Sequence, residues 1–407
     1  MRKSTLLLIL AAFAIRALAA DPVTVEQLQQ ALAATHGRPD KEVAQKLRGL
    51  ELTERLSEPR LESLKAALPG DESKQTLLAL ADESAFLGLP AADTLKLAAP
   101  DSATQGKTVS RAADFVVETV SRMPDFFASR TTTRFQDMRT QYVPDQQATF
   151  ANQGFHLVDR VSATVTYRNG REVVDPFAGK KRGKGYTSST GLTNWGVFGP
   201  LLGVVMTDIL KSKIGWSHWE QGPTGPLAVF RYAVEEDRSN YTVRYCCFRS
   251  ENGEMKEFEA VPAYHGEIAI DPASGAVLRL VVKTDLLPGL PMERIDLAVN
   301  YGPVEIGGKI YICPTRSTSI SQAEALVFFG FMYYVDKNGK RSHDPNDKVQ
   351  QFTRVNVPLV TAINDVVFDD YHRFRGEVRI VQPDSVEQDP NPAPSAPATV
   401  PSTPPKQ

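Results

Sequence analysis

The sequence predicts an α+β protein, with a small helical region followed by a large antiparallel sheet. Apolar residues recur at helical spacing between Val25 and Phe86, and period-two alternation takes over from about Arg130. Turn residues of the hairpin kind punctuate that alternation, with Asn169-Gly170, Asp271-Pro272-Ala273-Ser274-Gly275 and Gly307-Gly308 the clearest.

Taken in order, the chain opens on Arg2 and Lys3, an apolar run from Leu6 to Ile15, and Ala17-Leu18-Ala19-Ala20. A basic start, a short apolar core and small residues at an A-x-A site predict a signal peptide over 1–20. The apolar run is too short for a comfortable membrane span, and no later stretch is long and apolar enough for one. The expectation is an exported protein of the periplasm, cell envelope or extracellular space that does not span the membrane once processed.

Residues 21–107 read as a helical domain with a linker. Thr24-x-x-Gln27 is a capping box ahead of Val25, Leu28 and Leu32. Asp40 is placed to cap a second helix carrying Val43 and Leu47, and Ser57 with Pro59 opens a third. Leu77, Leu78, Leu80 and Phe86 mark a fourth, and Leu89 to Lys107, rich in Ala, Pro and Asp, reads as linker.

Residues 108–381 read as the sheet domain, led by a helix with Phe115, Val116, Val120 and Met123. Strand signal begins near Arg130 and reaches a last pair of strands, Phe352–Val357 and Tyr371–Val381. Its clearest stretch is Tyr264–Arg316. There Ile295, Leu297, Val299 and Tyr301 share one face, and Arg294, Asp296, Ala298 and Asn300 the other. One inserted helix starts at Gly199-Pro200 and carries Leu201, Leu202, Val205, Met206 and Ile209. From 382 to 407 the chain is rich in Pro, Ala and Ser, which predicts a disordered tail.

Composition excludes little. The chain has 407 residues, 42% of them hydrophobic, and a formal net charge of -2, so nothing global points to nucleic acid. Lys180-Lys181-Arg182-Gly183-Lys184 is a lone basic run without interleaved aromatics, and no nucleic-acid partner is expected. The six histidines are scattered, so neither a metal site nor a cofactor is expected. Of the three cysteines, Cys246 and Cys247 are adjacent on a strand and point to opposite faces, so only one of them can reach Cys313. A disulfide from Cys313 to Cys246 or to Cys247 and buried free thiols stand as alternatives.

Chemistry has few candidates. His218 and Glu220 share one face of a strand and could form an acid/base pair. With no nucleophile in the pattern, a hydrogen-bonded pair in a sheet is the reading adopted, and no catalytic residue is assigned. What stands out is apolar: Trp195, Phe198, Leu202, Met206, Trp216 and Trp219, with Phe328, Phe329 and Phe331 from a later aromatic run. Packed core is one reading of this set. An apolar pocket between helix and sheet is the sharper one.

Two resemblances follow from these stretches. G-E-I-A-I-D-P-x-S-G-x-V-L-R at Gly266–Arg279, Y-G-P-V-E-I-G-G-K-x-Y-x-C-P at Tyr301–Pro314, S-H-W-E-Q at Ser217–Gln221 and F-A-S-R-T-T-T-R-F at Phe127–Phe135 resemble uncharacterised secreted proteins of environmental bacteria, Acidobacteria in particular. More distantly, Arg130 to Val381 resembles the periplasmic lipoprotein-carrier and outer-membrane lipoprotein-sorting fold. That likeness implies a curved, unclosed barrel with a helix on its concave face, holding acyl chains. The expected function is therefore non-enzymatic binding of a lipid or lipoprotein acyl chain in the cell envelope. The alternative is a module that senses envelope stress or binds an envelope protein partner, with the sheet as scaffold.

Overall fold

The computed structural model describes residues 20–141, 149–175, 191–192, 196–249, 255–329, 334–335, 337–338, 340–342, 349–350 and 353–373. The expected signal peptide apart from Ala20, the basic run at 180–184, Trp195, Phe331 and the expected tail at 382–407 lie outside them.

Six α-helices occur among the described residues: α1 (Val25–Ala33), α2 (Asp40–Arg48), α3 (Glu58–Ala66), α4 (Asp71–Ser84), α5 (Ser102–Arg122) and α6 (Pro200–Ile209). The first strands are β1 (Asp21–Val23), β2 (Leu50–Leu52), β3 (Thr94–Leu95), β4 (Phe126–Gln141), β5 (Thr149–Arg168), β6 (Arg171–Asp175) and β7 (Gly191–Leu192). Next come β8 (Lys213–Gln221), β9 (Pro226–Val234), β10 (Val243–Arg249), β11 (Met255–Ala260), β12 (Ala263–Ile270), β13 (Val277–Asp285), β14 (Met292–Ile306) and β15 (Lys309–Phe329). The short β16 (Tyr334–Val335), β17 (Arg341–Ser342) and β18 (Val349–Gln350) precede the long β19 (Thr353–Arg373).

Eleven strands form one open antiparallel sheet in the order β3-β8-β9-β12-β13-β14-β15-β19-β4-β5-β6. Two meanders make up most of it, β8-β9-β12-β13-β14-β15 and β4-β5-β6, with β3 at the edge beside β8, and β19 lies between the meanders, paired to β15 on one side and β4 on the other. The stretch Tyr264–Arg316 supplies its middle strands. Asn169 and Gly170 both take positive φ, as a tight primed turn requires, and Gly307 and Gly308 do the same. Smaller sheets are made by β11-β10-β7 and β17-β16-β18, and β1 pairs β2 in parallel.

Local chemistry places the helices, with three corrections to the expected boundaries. The Thr24 capping box forms, with Gln27 N–H donating to Thr24 Oγ1 at 3.2 Å and Thr24 N–H to Gln27 Oε1 at 2.8 Å. Asp40 does not cap its own helix. Its carboxylate accepts from Glu72 and Ser73 N–H, each at 3.0 Å, and so caps α4 from a distance. The linker expected to reach Lys107 ends earlier, because Asp101 accepts from Thr104 N–H at 2.8 Å and starts α5 at Ser102. The expected final pair of strands is the single β19, as far as Arg373. Its pairing with β15 shifts register between Glu324 and Leu326, which leaves Pro358 without a pairing partner there.

Helices lie on both sides of the main sheet. On one side α5 and α6 bury a large apolar cluster with alternate residues of the strands, among them Phe126, Phe230, Ile268, Leu280, Val299 and Phe368. On the other, α4 faces two ways. Leu77 and Leu80 join Val25, Leu28, Val43, Leu47 and Leu61 in a core of the first helices. Ala79 and the following Phe86 meet Phe135, Val281, Ala298, Ile320 and Ile363 of the sheet.

Candidate functional site: a charged cleft between the first helices and the sheet

Strand alternation puts Leu280, Leu297 and Val299 against α5 and α6, so their neighbours must point the other way. Arg279, Asn300, Arg316 and Thr318 therefore project towards α3 and α4. Between them and the helices lies a cleft of about 810 Å³, within the range of small-molecule sites.

Ion pairs bind the two walls together. Arg55, which precedes α3, donates from Nη2 to Glu220 Oε1 of β8 at 2.6 Å, with side chains only 7% and 16% exposed. Arg279 Nη2 donates to the Ala85 carbonyl at 2.8 Å. Its Nη1 lies 4.0 Å from Glu220 Oε2 and 3.8 Å from Glu267 Oε2. Deeper in, Arg316 donates from Nη2 to Asp82 Oδ1 at 2.6 Å and from Nε to Asp365 Oδ1 at 2.7 Å. Thr318 Oγ1 donates to Asp82 at 3.1 Å. At the rim, Arg60 pairs with Asp93 and also donates to Gln29 Oε1 at 3.2 Å.

The electrostatics follow from burial. One guanidinium serves two carboxylates in the Asp82–Arg316–Asp365 cluster. Burial raises the Asp82 carboxyl to about 8; Arg316 opposes that rise and Asp365 adds to it. For Arg316 burial works against the charge, but Asp82 and Asp365 outweigh it and hold the guanidinium above its ordinary range. His218, beside Glu220, is pushed down by burial, against the pull of Glu267 and Glu220.

Several buried polar atoms here have no hydrogen-bond partner among the described residues: Arg55 Nη1, Arg279 Nη1, Glu220 Oε2, His218 Nε2 and Asp82 Oδ2. Native interiors leave few such atoms; here Arg279 Nη1 and Glu220 Oε2 lie 4.0 Å apart, just beyond hydrogen-bond reach of each other.

The residues expected to line an apolar pocket fall elsewhere. Phe198, Leu202 and Met206 are buried in the cluster under α5 and α6, at 1%, 7% and 4% exposure. The Phe198 ring stands edge-on to Phe126 at 5.3 Å and to Phe368 at 5.1 Å between centroids. The space beside Phe198 and Leu202 is about 20 Å³, no more than one water would need. Trp216 and Trp219 pack against the edge of this cluster, 4.9 Å apart in a T-shaped pair, and Trp219 Nε1 donates to the Ala98 carbonyl at 2.9 Å. Phe328 and Phe329 belong to β15, though their side chains, like all of Trp195 and Phe331, lie outside what is described.

The expected disulfide to Cys313 is corrected. Cys246 and Cys247 are bonded to each other on β10. Cys313 is a buried free thiol on β15, 3.9 Å from the Met123 sulfur, and burial pushes it up to about 12. Cys246 and Cys247 lie on β10 of a three-stranded sheet and Cys313 on β15 of the main one.

His218 and Glu220 do share a strand face, and their separation of 4.0 Å from Nε2 to Oε2 is too long for a hydrogen bond. Glu220 bonds Arg55 instead. Sequence reading missed Arg55, Asp82, Arg279 and Arg316. The signal was there, in charged residues alternating with the apolar set of β13 to β15, but such a face normally meets water and only the fold covers it. Compared with protein-family models, curated proteins and solved structures, the chain matches none.

Proposed function

We propose that this is an exported, non-enzymatic binding protein of the cell envelope, and that its site is the charged cleft, which holds a small polar ligand. The observation that carries the reading is the cleft of about 810 Å³, lined by largely buried charged side chains, Arg55, Glu220, Arg279 and Arg316 among them. Most of its charges are engaged in fixed pairs, which suits holding a ligand better than moving a proton. An apolar ligand between the sheet and α6 is the less favoured reading, because Phe198 and Leu202 pack into the cluster there with about 20 Å³ of space beside them.

Thermal unfolding of the mature protein against a panel of sugars, sugar acids, amino acids and short peptides tests this. A ligand at a hundred times its dissociation constant should stabilise the protein by about 2.7 kcal/mol. Asn300→Trp, which puts a bulky ring into the cleft, should abolish the shift. A ligand that stabilises both proteins equally, or an acyl chain bound to Asn300→Trp in native mass spectra, would overturn the cleft reading.

A further inference from the structure

The bonded pair Cys246–Cys247 belongs to the small sheet, and neither cysteine lines the cleft. Strand register explains how both sulfurs come to face the same way. Across β10 and β11, Tyr245 stands opposite Phe258 and Cys246 opposite Glu257, but the next pair is Phe248 with Lys256. Cys247 is therefore the extra residue of a bulge. Tyr245 and Phe248 both pack on the apolar cluster of Phe258, Met292 and Ile295. The two cysteines between them turn to the other face together, where regular alternation would send them to opposite faces.

Three potential ligand atoms are gathered on that face. The two sulfurs and a carboxylate oxygen of Glu257 all lie within 4.8 Å of one another. Both cysteines are half-buried and Glu257 is exposed, so solvent reaches the group. The two glutamates of β11 are used differently. Glu259 pairs with Arg244 across the strands at 3.0 Å, whereas the Glu257 carboxylate has no ion-pair partner among the described residues and faces the sulfurs instead.

A disulfide binds no cation, but the thiolates its reduction releases are the ligands that soft and borderline metal ions prefer. Zinc, for one, takes mixed sets of cysteine and carboxylate, with water in an open position. We infer that Cys246, Cys247 and Glu257 form a redox-gated site for a thiophilic divalent cation, closed while the cysteines are bonded and open once they are reduced. The reductant is a dithiol. Its two sulfurs join as the Cys246–Cys247 bond breaks, so that two electrons and two protons pass to the protein and each cysteine becomes a thiol. The arriving cation displaces those two protons and is held by two thiolates. Glu257 adds a carboxylate oxygen, and water fills the fourth position.

Cadmium(II) is the probe, because thiolate coordination gives it an ultraviolet charge-transfer band. The mature protein is reduced with dithiothreitol, desalted without oxygen and titrated beside the oxidised protein, with circular dichroism as the folding control. Reduced protein should take up one equivalent and develop the thiolate band, and oxidised protein should do neither. Glu257→Gln, a change at an exposed strand position, should weaken binding at least about tenfold, the lower end of what disturbing a metal's surroundings costs. The double variant Cys246→Ser, Cys247→Ser keeps the buried thiol of Cys313 and should show no band. Equal uptake by oxidised protein, a band that persists in the double variant, or no band up to about 100 μM cadmium would overturn the site. Wild-type affinity in Glu257→Gln would remove the carboxylate ligand and with it the three-ligand site. Loss of strand signal on reduction would also overturn it, since Glu257 must stay opposite Cys246.

Discussion

Phe198 on one side of the main sheet and Asp82 on the other are equally hidden, at 1% and 2% exposure, yet their surroundings differ in kind. Around Phe198 the α5/α6 side is apolar, and the space beside Phe198 and Leu202 is about 20 Å³. Around Asp82 the α4 side is a hydrogen-bonded cluster of two carboxyl groups and a guanidinium at the wall of about 810 Å³. The same strands build both faces. An abundance of large apolar side chains marks the side that holds the fold together, and the side with room and unsatisfied chemistry is recognised by buried charge.

The comparison can be broken most forcefully on the sealed side. Phe198→Ala should cost about 3–5 kcal/mol, as for large aromatic truncations in cores, measured by urea denaturation. Ligand binding in the cleft should persist in the fraction that remains folded. A cost below about 1 kcal/mol would show that this side is loosely packed.

On the charged side the expected signature is a pH slope. Asp82 has a folded-state carboxyl raised to about 8, well above its unfolded value. The folded state therefore holds the proton more tightly, so this group's contribution is full in acid and is lost as pH rises towards about 8. Stability should fall from about pH 4 to about pH 8 by this term, and Asp82→Asn should flatten the slope. Urea midpoints across that range check it, and an unchanged slope in Asp82→Asn would show that Asp82 is ionised throughout.

The smallest effect concerns Cys313, which the sealed side buries and holds up to about 12. A thiol reagent should find no reactive cysteine in the native protein, one after unfolding, and three after unfolding with reduction. Rapid native labelling of Cys313 would mean that the α5/α6 side opens.

Much of the architecture was legible because it is written locally. The Thr24 box, the Asn169-Gly170 and Gly307-Gly308 turns and the alternation of Ile295, Leu297, Val299 and Tyr301 each specify their own structure. Boundaries failed where a partner distant in sequence decides, as when Asp40 caps α4 across 32 residues. The site failed for the same reason. Arg55 meets Glu220 and Asp82 meets Arg316 only because α4 settles on the strands, and no spacing in the chain announces either pair. The aromatic cluster was seen, and its packing against its own neighbours is a property of three-dimensional fit.

The position of β19 has a consequence for how the molecule comes into being. This strand lies between the two meanders, paired to β15 and β4, yet among the described residues it is the last strand of the sheet along the chain. Until Thr353–Arg373 has left the ribosome, β15 and β4 present long unpaired edges and the sheet exists as two halves. Contacts between residues such as Thr132 and Val366 close very long loops, which makes assembly slow. Completion of the sheet is therefore a late event, and its two halves become one cooperative unit only when β19 joins them.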